Sequence, residues 1–473
     1  MRLDLVAVAS IAAFLAGCAV GPDYQRPAVD TPPKWTVEAP WREATPRDNL
    51  AKGEWWKAFG DAKLDELEAQ ALAQSPTLTI AAARLNQARA TLSGAAALRL
   101  PQLAAATRDQ RLRITENRPL SSYSSPNFST VQDDFVLGLN ASYELDLAGR
   151  VSRTIEGARA SAERSAADFE NTRLVLTADL ATAYYNVREL DMEQDVLARS
   201  IALQRRALEL AAARHDLGAA SGIDVAQQQS LLDSTLTQVD VLAKQRAQFE
   251  HAIATLVGAP TPTFRLPAEA RPLTPPAIPV GVPSDVLERR PDVASAERAM
   301  AAANAQIGVA TSALYPSIIL GGTFGDESRR LATLLAAPST VWSLGGSLVQ
   351  PIVDAGRLRS QVDFAKAGYD AEVGNYRRTV LAAMQEVEDG ITGLAALERA
   401  SSQASAAVAS AAKVLDMSNA RYDGGAATYL EVIIAQQAML NNERLATQLQ
   451  GQRMLTAVFL VKALGGGWTG SKS

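Results

Sequence analysis

The chain has 473 residues, with 46 basic and 51 acidic side chains and a formal net charge of -5 at pH 7. Nucleic-acid binding needs a basic face that neutralises phosphates, so this charge balance disfavours a nucleic-acid partner. One cysteine and two histidines exclude a disulfide within the chain and a Cys/His metal cluster. The histidines, His215 and His251, fall on predicted helices, where we expect exposed side chains without a chemical role.

Residues 1–17 are predicted to be a signal peptide. The apolar run Leu5–Ala16 is too short to span a bilayer. It ends in the sequence LAGC, whose last residue is Cys18. This ending resembles a bacterial lipobox, although Arg2 is the only basic residue ahead of the apolar run. The resemblance implies cleavage before Cys18, which would then carry diacylglycerol and an acyl chain as a membrane anchor. Ala19 stands where an aspartate would favour the inner membrane, so we expect the outer membrane. The alternative is a free thiol in a signal sequence.

The chain is internally duplicated. The sequence RHDLGAASGIDVAQQQS at 214–230 returns 207 residues later as RYDGGAATYLEVIIAQQ at 421–437. Further upstream the offset is 215, which pairs Pro101 with Pro316. A period near 200 residues is too long for a solenoid repeat, so two fused homologous halves are predicted.

Composition and repeat register predict six segments. They are a signal peptide (1–17), a lipidated extended segment (18–61), a first repeat (62–258), a proline-rich linker (259–283), a second repeat (284–465) and a disordered tail (466–473). Each repeat is predicted to hold shorter helices, two strands and a long helical hairpin.

Each hairpin begins with a very long predicted helix. The segments Gly149–Arg214 and Gly356–Arg421 contain no proline and are dense in the stronger helix formers. At 1.5 Å per residue, about 65 residues span on the order of 95 Å. A seven-residue apolar spacing in the first helix indicates coiled-coil packing; it comprises Leu176, Leu180, Ala183, Val187, Leu190, Leu197, Ile201 and Leu208. The second copy of this spacing uses smaller residues, which predicts close helix approach.

Each long helix is followed by a predicted turn and a shorter antiparallel helix. The turns contain Gly218 and Gly425, and the returning helices are Asp224–Leu256 and Glu431–Leu464.

Four segments have the period of β-strands. Phe135–Leu145 alternates apolar side chains with small or polar ones, which fits both a transmembrane strand and a strand of a soluble sandwich. The other three are predicted near Leu103–Thr115, Pro316–Phe324 and Val341–Val353. A closed membrane barrel needs at least about eight strands, so a membrane protein with four strands per chain must oligomerise.

Several motifs in sequence order carry a family resemblance. They are LAGC, GPDYQRPAVDTPPKW, EWWKAFGDAKLDEL, SYELDLAGR, LERRPDVASAERAMAAANAQIGVATSALYPSI and RYDGGAATYLEV. From end to end the chain resembles the outer-membrane efflux proteins of the TolC/OprM type, in their lipoprotein branch. The resemblance rests on the order of the motifs, the duplication and coverage of nearly the whole chain. It implies a mainly α-helical fold with a transmembrane β-barrel part: a homotrimer with a 12-stranded barrel above a 12-helix coiled-coil tunnel.

The resemblance also implies the function. Such proteins are exit ducts of tripartite efflux pumps, anchored in outer-membrane lipid and extending into the periplasm. An inner-membrane transporter of the RND class and a periplasmic adaptor (membrane fusion protein) deliver drugs or other toxic solutes to them. No catalysis, nucleotide, metal or cofactor is expected, apart from the covalent lipid on Cys18.

The resemblance places a resting gate at the periplasmic hairpin tips. Tyr422 matches the tip tyrosine of the family, and Asp224 matches the acid of the other hairpin to which it bonds. Leu430 matches the apolar ring of the gate, and Glu431 matches an acid that lines the pore. Three copies of Glu431 near a threefold axis would repel one another and attract cations. The alternative for each residue is a purely structural role in capping or packing a hairpin.

Two positions depart from the family pattern at the gate. Ile434 stands in place of an aspartate, and Ala427 in place of a clamping arginine. We therefore expect the gate to depend more on apolar packing at Leu430 and Ile434 than on salt bridges.

Two other classes of protein are alternatives to an efflux channel. A periplasmic coiled-coil adaptor would also have a lipobox and long hairpins, but it carries one hairpin between small β-rich modules. An enzyme is disfavoured because the sequence has no phosphate-binding loop, no Gly-Xaa-Ser-Xaa-Gly and no metal-ligand spacing.

Overall fold

A computed structural model describes residues 20–25, 53–115, 130–278 and 289–466. Predicted features that fall outside these ranges are the signal peptide, Cys18, most of the extended segment (26–52), the loop between the first two strands, the end of the linker and most of the tail. The chain forms two compact units. The sheet unit comprises residues 1–27, 85–165 and 296–376, and the helical unit comprises residues 28–84, 166–295 and 377–473.

The described elements follow in chain order: α1 (Ala62–Gln74), α2 (Pro76–Ala97), β1 (Gln102–Ile114), β2 (Thr130–Leu145), α3 (Arg150–Asp216), α4 (Gly222–Leu256), α5 (Pro291–Ser312), β3 (Ser317–Ser328), β4 (Thr340–Val349), α6 (Arg357–Asp423) and α7 (Tyr429–Ala463). The two long helices have 67 residues each and the two returning helices 35 each. Their bounds differ by the same 207 residues as the sequence repeat. Among the described residues, no helix is both long enough and apolar enough to cross a bilayer.

The four strands form one antiparallel sheet in the order β1-β2-β3-β4. The register places directly opposite residues on the same face, and one face is mainly apolar. That face carries Leu103, Leu137, Leu139, Tyr143, Leu145, Ile318, Leu320, Phe324, Trp342, Leu344 and Leu348. The other face is mostly small or polar, with Ala104, Arg108, Asp134, Asn140, Ser142, Thr323, Glu327, Ser343 and Ser347. The alternation predicted from one strand therefore extends across the whole sheet.

Three strand ends differ from prediction. β2 begins at Thr130 rather than Phe135, and β3 continues four residues beyond Phe324. Cross-strand polar bonds hold the charged start of β2 in the sheet: the Asp134 carboxylate accepts hydrogen bonds from Arg108 and Gln110 on β1, at 2.8 and 3.0 Å. β4 ends at Val349, short of the predicted Val353, because Pro351 has no N–H for a ladder.

The seam predicted on α3 is buried. Its side chains from Leu176 to Ile201 are less than 10% exposed, and Leu208 is half-buried. On α6, a Cβ added at Gly390 would lie 3.0 Å from Leu460 of α7, which shows the close helix approach expected there. The histidines are exposed on helices, as predicted.

The linker packs against the helical unit. Leu266, Leu273 and Ile278 are nearly fully buried. The Asp191 carboxylate lies beneath the linker: it accepts from Arg246 Nε at 2.6 Å and from the Glu269 backbone N–H at 3.0 Å. A buried charge network of this kind is stabilising only when every member has a partner, so the segment is a fixed part of the unit rather than a free tether.

Candidate functional site: the tips of the two helical hairpins

Both hairpins turn in the same way. Gly218 and Gly425 have φ of 73° and 70°, in the left-handed region that glycine adopts without a steric penalty. In the first turn, Ala219 N–H donates to the Arg214 carbonyl at 2.7 Å; in the second, Ala426 N–H donates to the Arg421 carbonyl at 2.8 Å. These bonds close the ends of α3 and α6 with the same glycine-dependent cap. The two predicted turn glycines therefore lie at the turns.

The helices that follow the turns start differently. Ser221 caps α4, and the Asp224 carboxylate returns the bond by accepting from the Ser221 N–H at 3.1 Å, which completes a capping box. At the equivalent place in the second repeat, Thr428 makes no side-chain cap bond. Glu431, the counterpart of Asp224, lies 3.3 Å from the Arg421 guanidinium instead. The same helix position thus caps a helix in one repeat and forms an ion pair in the other.

A polar contact joins the two tips within one chain. Arg214 Nη2 donates to Asp423 Oδ1 at 2.9 Å, and its guanidinium lies over the Tyr422 ring at 4.9 Å from the centroid. Its repeat counterpart, Arg421, stays within its own hairpin and donates to the Ala426 carbonyl at 3.1 Å. Only the first repeat's arginine therefore connects the hairpins.

An apolar and aromatic cluster lies behind this contact. Ala211, Tyr429 and Val432 are buried, with Tyr422 packed against them. The Tyr422 and Tyr429 rings are 5.0 Å apart between centroids. Burial raises the pKa of Tyr429 to about 12, so its hydroxyl stays protonated and donates to Gln228 Oε1 on α4 at 3.0 Å. The start of α7 is thereby fixed to α4.

The two predicted gate side chains lie on the opposite, exposed face of α7. Leu430 is 48% exposed and Ile434 is 59% exposed, while the neighbouring Tyr429 and Val432 are buried. Residues four apart lie on the same side of a helix, so the two apolar side chains form one exposed patch beside Glu431. An exposed apolar patch at a helix start can pack against symmetry-related copies or close a narrow opening.

In the structure, Tyr422 and Asp224, the two residues of the predicted tyrosine–acid link, make separate contacts. Within the described part of the chain, no hydrogen bond joins Tyr422 to Asp224: Tyr422 contacts Arg214 and Tyr429, and Asp224 caps α4. The link between Tyr422 and Asp224 stays a prediction.

Four residues of the tips went unrecognised in the sequence, namely Arg214, Asp423, Gln228 and Tyr429. The arginine had a signal, because an arginine opens both copies of the repeated stretch. Asp423 had the same signal, because Asp216 stands at the equivalent position, whereas Gln228 and Tyr429 had none and are replaced by Ala435 and Gly222. Groups of three or more metal-ligating side chains are absent from the ranges that the structure describes.

The duplicated long hairpins and the two-faced sheet define a class of protein, and comparison with known proteins identifies it. The chain belongs to the outer membrane efflux protein family, whose model matches residues 67–259 and 282–466. It is therefore an outer-membrane efflux channel, and the predicted fold class and location are confirmed.

Particular relatives resemble nearly the whole chain. The pyoverdine export outer membrane protein OpmQ of Pseudomonas aeruginosa is 32% identical over 471 residues, which cover 99% of this chain and 98% of OpmQ. The outer membrane protein OprJ of the same species is 31% identical over 474 residues, 98% of this chain and 96% of OprJ. A solved structure of the outer-membrane channel OprN matches with a TM-score of 0.87 and 27% identity, over 95% of this chain and all of that chain. The family is one of outer membrane efflux proteins, OpmQ is named for export and OprN is described as an outer-membrane channel.

Proposed function

We propose that three copies of this chain form a gated exit duct that is closed at rest by the start of α7. Three four-stranded sheets give a 12-stranded barrel, a strand number within the range of known membrane barrels. Leu430 and Ile434 from each copy meet near the threefold axis and shut the periplasmic end.

The observation that carries this proposal is the exposure of the two gate side chains. In a single chain, Leu430 and Ile434 expose about half of their surfaces although their neighbours Tyr429 and Val432 are buried. Fully burying a large apolar side chain is worth on the order of 1.5–3 kcal/mol, so leaving half of each in water costs on the order of 1 kcal/mol. Packing against symmetry copies recovers that free energy, and it closes the opening by the same contact.

The test is single-channel conductance of the purified protein in a planar bilayer. We expect small conductance in the wild type and larger, longer openings in the double variant Leu430→Ala, Ile434→Ala, because the apolar contact is lost. Leu445→Ala is the matched control, since Leu445 is also 48% exposed on α7 but lies about 16 Å further along the helix. Equally large conductance in all three proteins would show that the tips form no gate.

The duct needs a source of solutes at its periplasmic end. We propose that a periplasmic adaptor (membrane fusion protein) contacts the hairpin tips and that an inner-membrane RND-type transporter supplies the solutes. OpmQ is named for pyoverdine export, which supports organic solutes as the cargo of this duct.

We further propose that Cys18 carries a diacylglycerol and an acyl chain. Mass spectrometry of the mature amino-terminal peptide tests the lipid directly.

A further inference from the structure

The segment Val20–Tyr24 lies in a binding site on the sheet unit. The length and composition of the segment did not predict this site. All five of its residues make polar contacts there, and the Tyr24 hydroxyl donates to Glu297 Oε1 at 3.4 Å. Val20 N–H donates to the Ala148 carbonyl at 3.3 Å, and Asn304 Nδ2 donates to the Pro22 carbonyl at 2.9 Å. The segment is therefore held by its backbone, independently of most of its side chains.

Arg153 is the centre of this site. Its side chain is 5% exposed, and its guanidinium donates to the Val20 carbonyl at 3.4 Å, the Gly21 carbonyl at 3.2 Å and Asp23 Oδ1 at 2.9 Å. Glu156 on the same helix accepts from its remaining edge at 2.8 Å. A nearly buried guanidinium is costly when it loses partners, so the docked segment and Arg153 stabilise each other.

Two glycines allow the segment to lie this close. A Cβ added at Gly21, which has φ of 105°, would lie 2.7 Å from the Cα of Gly308 on α5. A Cβ added at Gly308 would lie 2.7 Å from the Arg153 side chain. Any larger residue at either position would push the segment or the arginine away. We call Ala148, Arg153, Asn304 and Gly308 the socket.

The position of the socket along the chain indicates its role. Ala148 comes three residues after the end of β2 and two residues before the start of α3. Cys18 is two residues ahead of Val20, so at most about 7 Å of chain separates them. This short span would keep a lipid on Cys18 close to the socket.

We propose that the socket binds the segment behind the lipid-bearing cysteine and so fixes the point where the acyl chains enter the bilayer, beside the periplasmic end of β2. The partner is outer-membrane lipid, presented through the chain's own anchor. This inference rests on the lipidation of Cys18 under the proposed function, and it is independent of the gate.

The test uses the single native cysteine. Because acylation blocks Cys18, a Pro22→Cys substitution provides the one free thiol for a nitroxide label, on an exposed side chain between two docked carbonyls. In lipid vesicles we expect one population of restricted motion and one depth relative to the bilayer surface. Loss of a buried charged donor should raise the mobile, undocked fraction about tenfold in Arg153→Met.

Three further variants separate the socket from general damage. Asn304→Ala removes one donor to the segment and should give a smaller rise in the mobile fraction. Arg159→Met, on the exposed side of the same helix, should give none. Asp23→Asn should also change little, because that carboxylate is 90% exposed and its ion pair is screened by water. Unchanged mobility in folded Arg153→Met and Asn304→Ala proteins would overturn the socket.

A Cys18→Ser version of the labelled protein distinguishes the two parts of the proposal. Restricted motion without the lipid supports a socket that acts on the chain itself. If mass spectrometry finds no acyl chains on wild-type Cys18, the role in lipid placement is overturned even though the segment remains docked, and the gate test is unaffected.

Discussion

Two acidic side chains of the helical unit lie in surroundings that favour their neutral form. Glu68 on α1 is fully buried, neither of its carboxylate oxygens has a hydrogen-bond partner among the described residues, and burial raises its pKa well above the ordinary value. Burial, with a contribution from the charge of Glu193, raises the pKa of Glu189 to about 7. Glu189 lies against bare backbone, because a Cβ added at Gly451 of α7 would overlap its carboxylate. Each acid therefore binds a proton more tightly in the folded protein than in the unfolded chain.

The raised pKa of Glu189 predicts a pH dependence of stability. Between its ordinary pKa of 4.5 and about 7, the folded state keeps the proton and the unfolded state loses it, so the free energy of unfolding falls as pH rises through this window. Glu189→Gln removes the titration. We expect the variant's thermal midpoint, measured by circular dichroism in detergent, to match the wild type near pH 4.5 and to exceed it above pH 7. The difference corresponds to on the order of 2–3 kcal/mol.

Glu193→Gln is the matched control for this experiment. Glu193 lies one turn further along α3 and accepts two hydrogen bonds from Arg444, at 3.0 and 3.2 Å. Removing its charge leaves the arginine without its ionic partner, so this variant should be less stable than the wild type at neutral pH. A Glu189→Gln midpoint that follows the wild type at every pH would contradict the neutral state of Glu189.

Among the secondary-structure elements, the long hairpins are the ones that could be predicted almost to the residue. Proline-free helix formers and a repeat offset that never slips determined their ends, and local chemistry determined the turns at Gly218 and Gly425. The strand ends could not be predicted as well. The sequence alone predicts that Asp134 lies in a polar loop. The structure shows that it pairs with Arg108 on the neighbouring strand. Sequence patterns report local preferences, and this pairing is not local.

The same distinction separates the parts of the tip site. Leu430 could be predicted from a resemblance because it occupies a matching position on one helix, and Ile434 because it replaces the aspartate of the family four residues further on. The contact between Arg214 and Asp423 joins residues 209 positions apart, and it exists only because two hairpin tips lie side by side. Repeat symmetry argues against it as well, since the equivalent arginine, Arg421, bonds within its own hairpin.

The contact between the two tips predicts how the hairpins separate. Arg214→Met removes an ion pair and a cation–π contact, each worth on the order of 0.5–1 kcal/mol at such an exposed place. Summed over a trimer, this loss is enough to increase the open probability of the channel in planar bilayers several-fold without unfolding it. Arg421→Met should change it less, because the loss stays inside one hairpin. Equal effects of the two substitutions would show that Arg214 does not join the hairpins functionally.

Across the whole molecule, the duplication explains why one chain supplies four strands and two hairpins. Each repeat contributes one strand pair, and the pairs meet where β2 bonds to β3. The outer strands β1 and β4 each have one neighbour within the chain. An unpaired strand edge in lipid is costly because no water is available to satisfy its backbone groups, so the sheet must continue into other copies. The sequence could predict this need for oligomerisation from strand number alone.

The two faces of the sheet meet different surroundings only if it closes into a barrel with lipid outside. Leu344 and Ser343 are neighbours on β4, and the register places Leu344 on the apolar face and Ser343 on the polar face. Leu344 is 82% exposed, and the Ser343 hydroxyl hydrogen-bonds to that of Thr323 at 2.7 Å. A lysine on the lipid face of a barrel costs about 2–4 kcal/mol near the bilayer midplane, whereas a lysine facing a water-filled interior costs little. We expect Leu344→Lys to reduce sharply the heat-modifiable trimer band that outer membranes give on unheated gels. Ser343→Lys should retain the band and lower the preference of the channel for cations. A trimer that tolerates Leu344→Lys and is lost in Ser343→Lys would mean that the polar face meets lipid, which would reverse the orientation of the sheet.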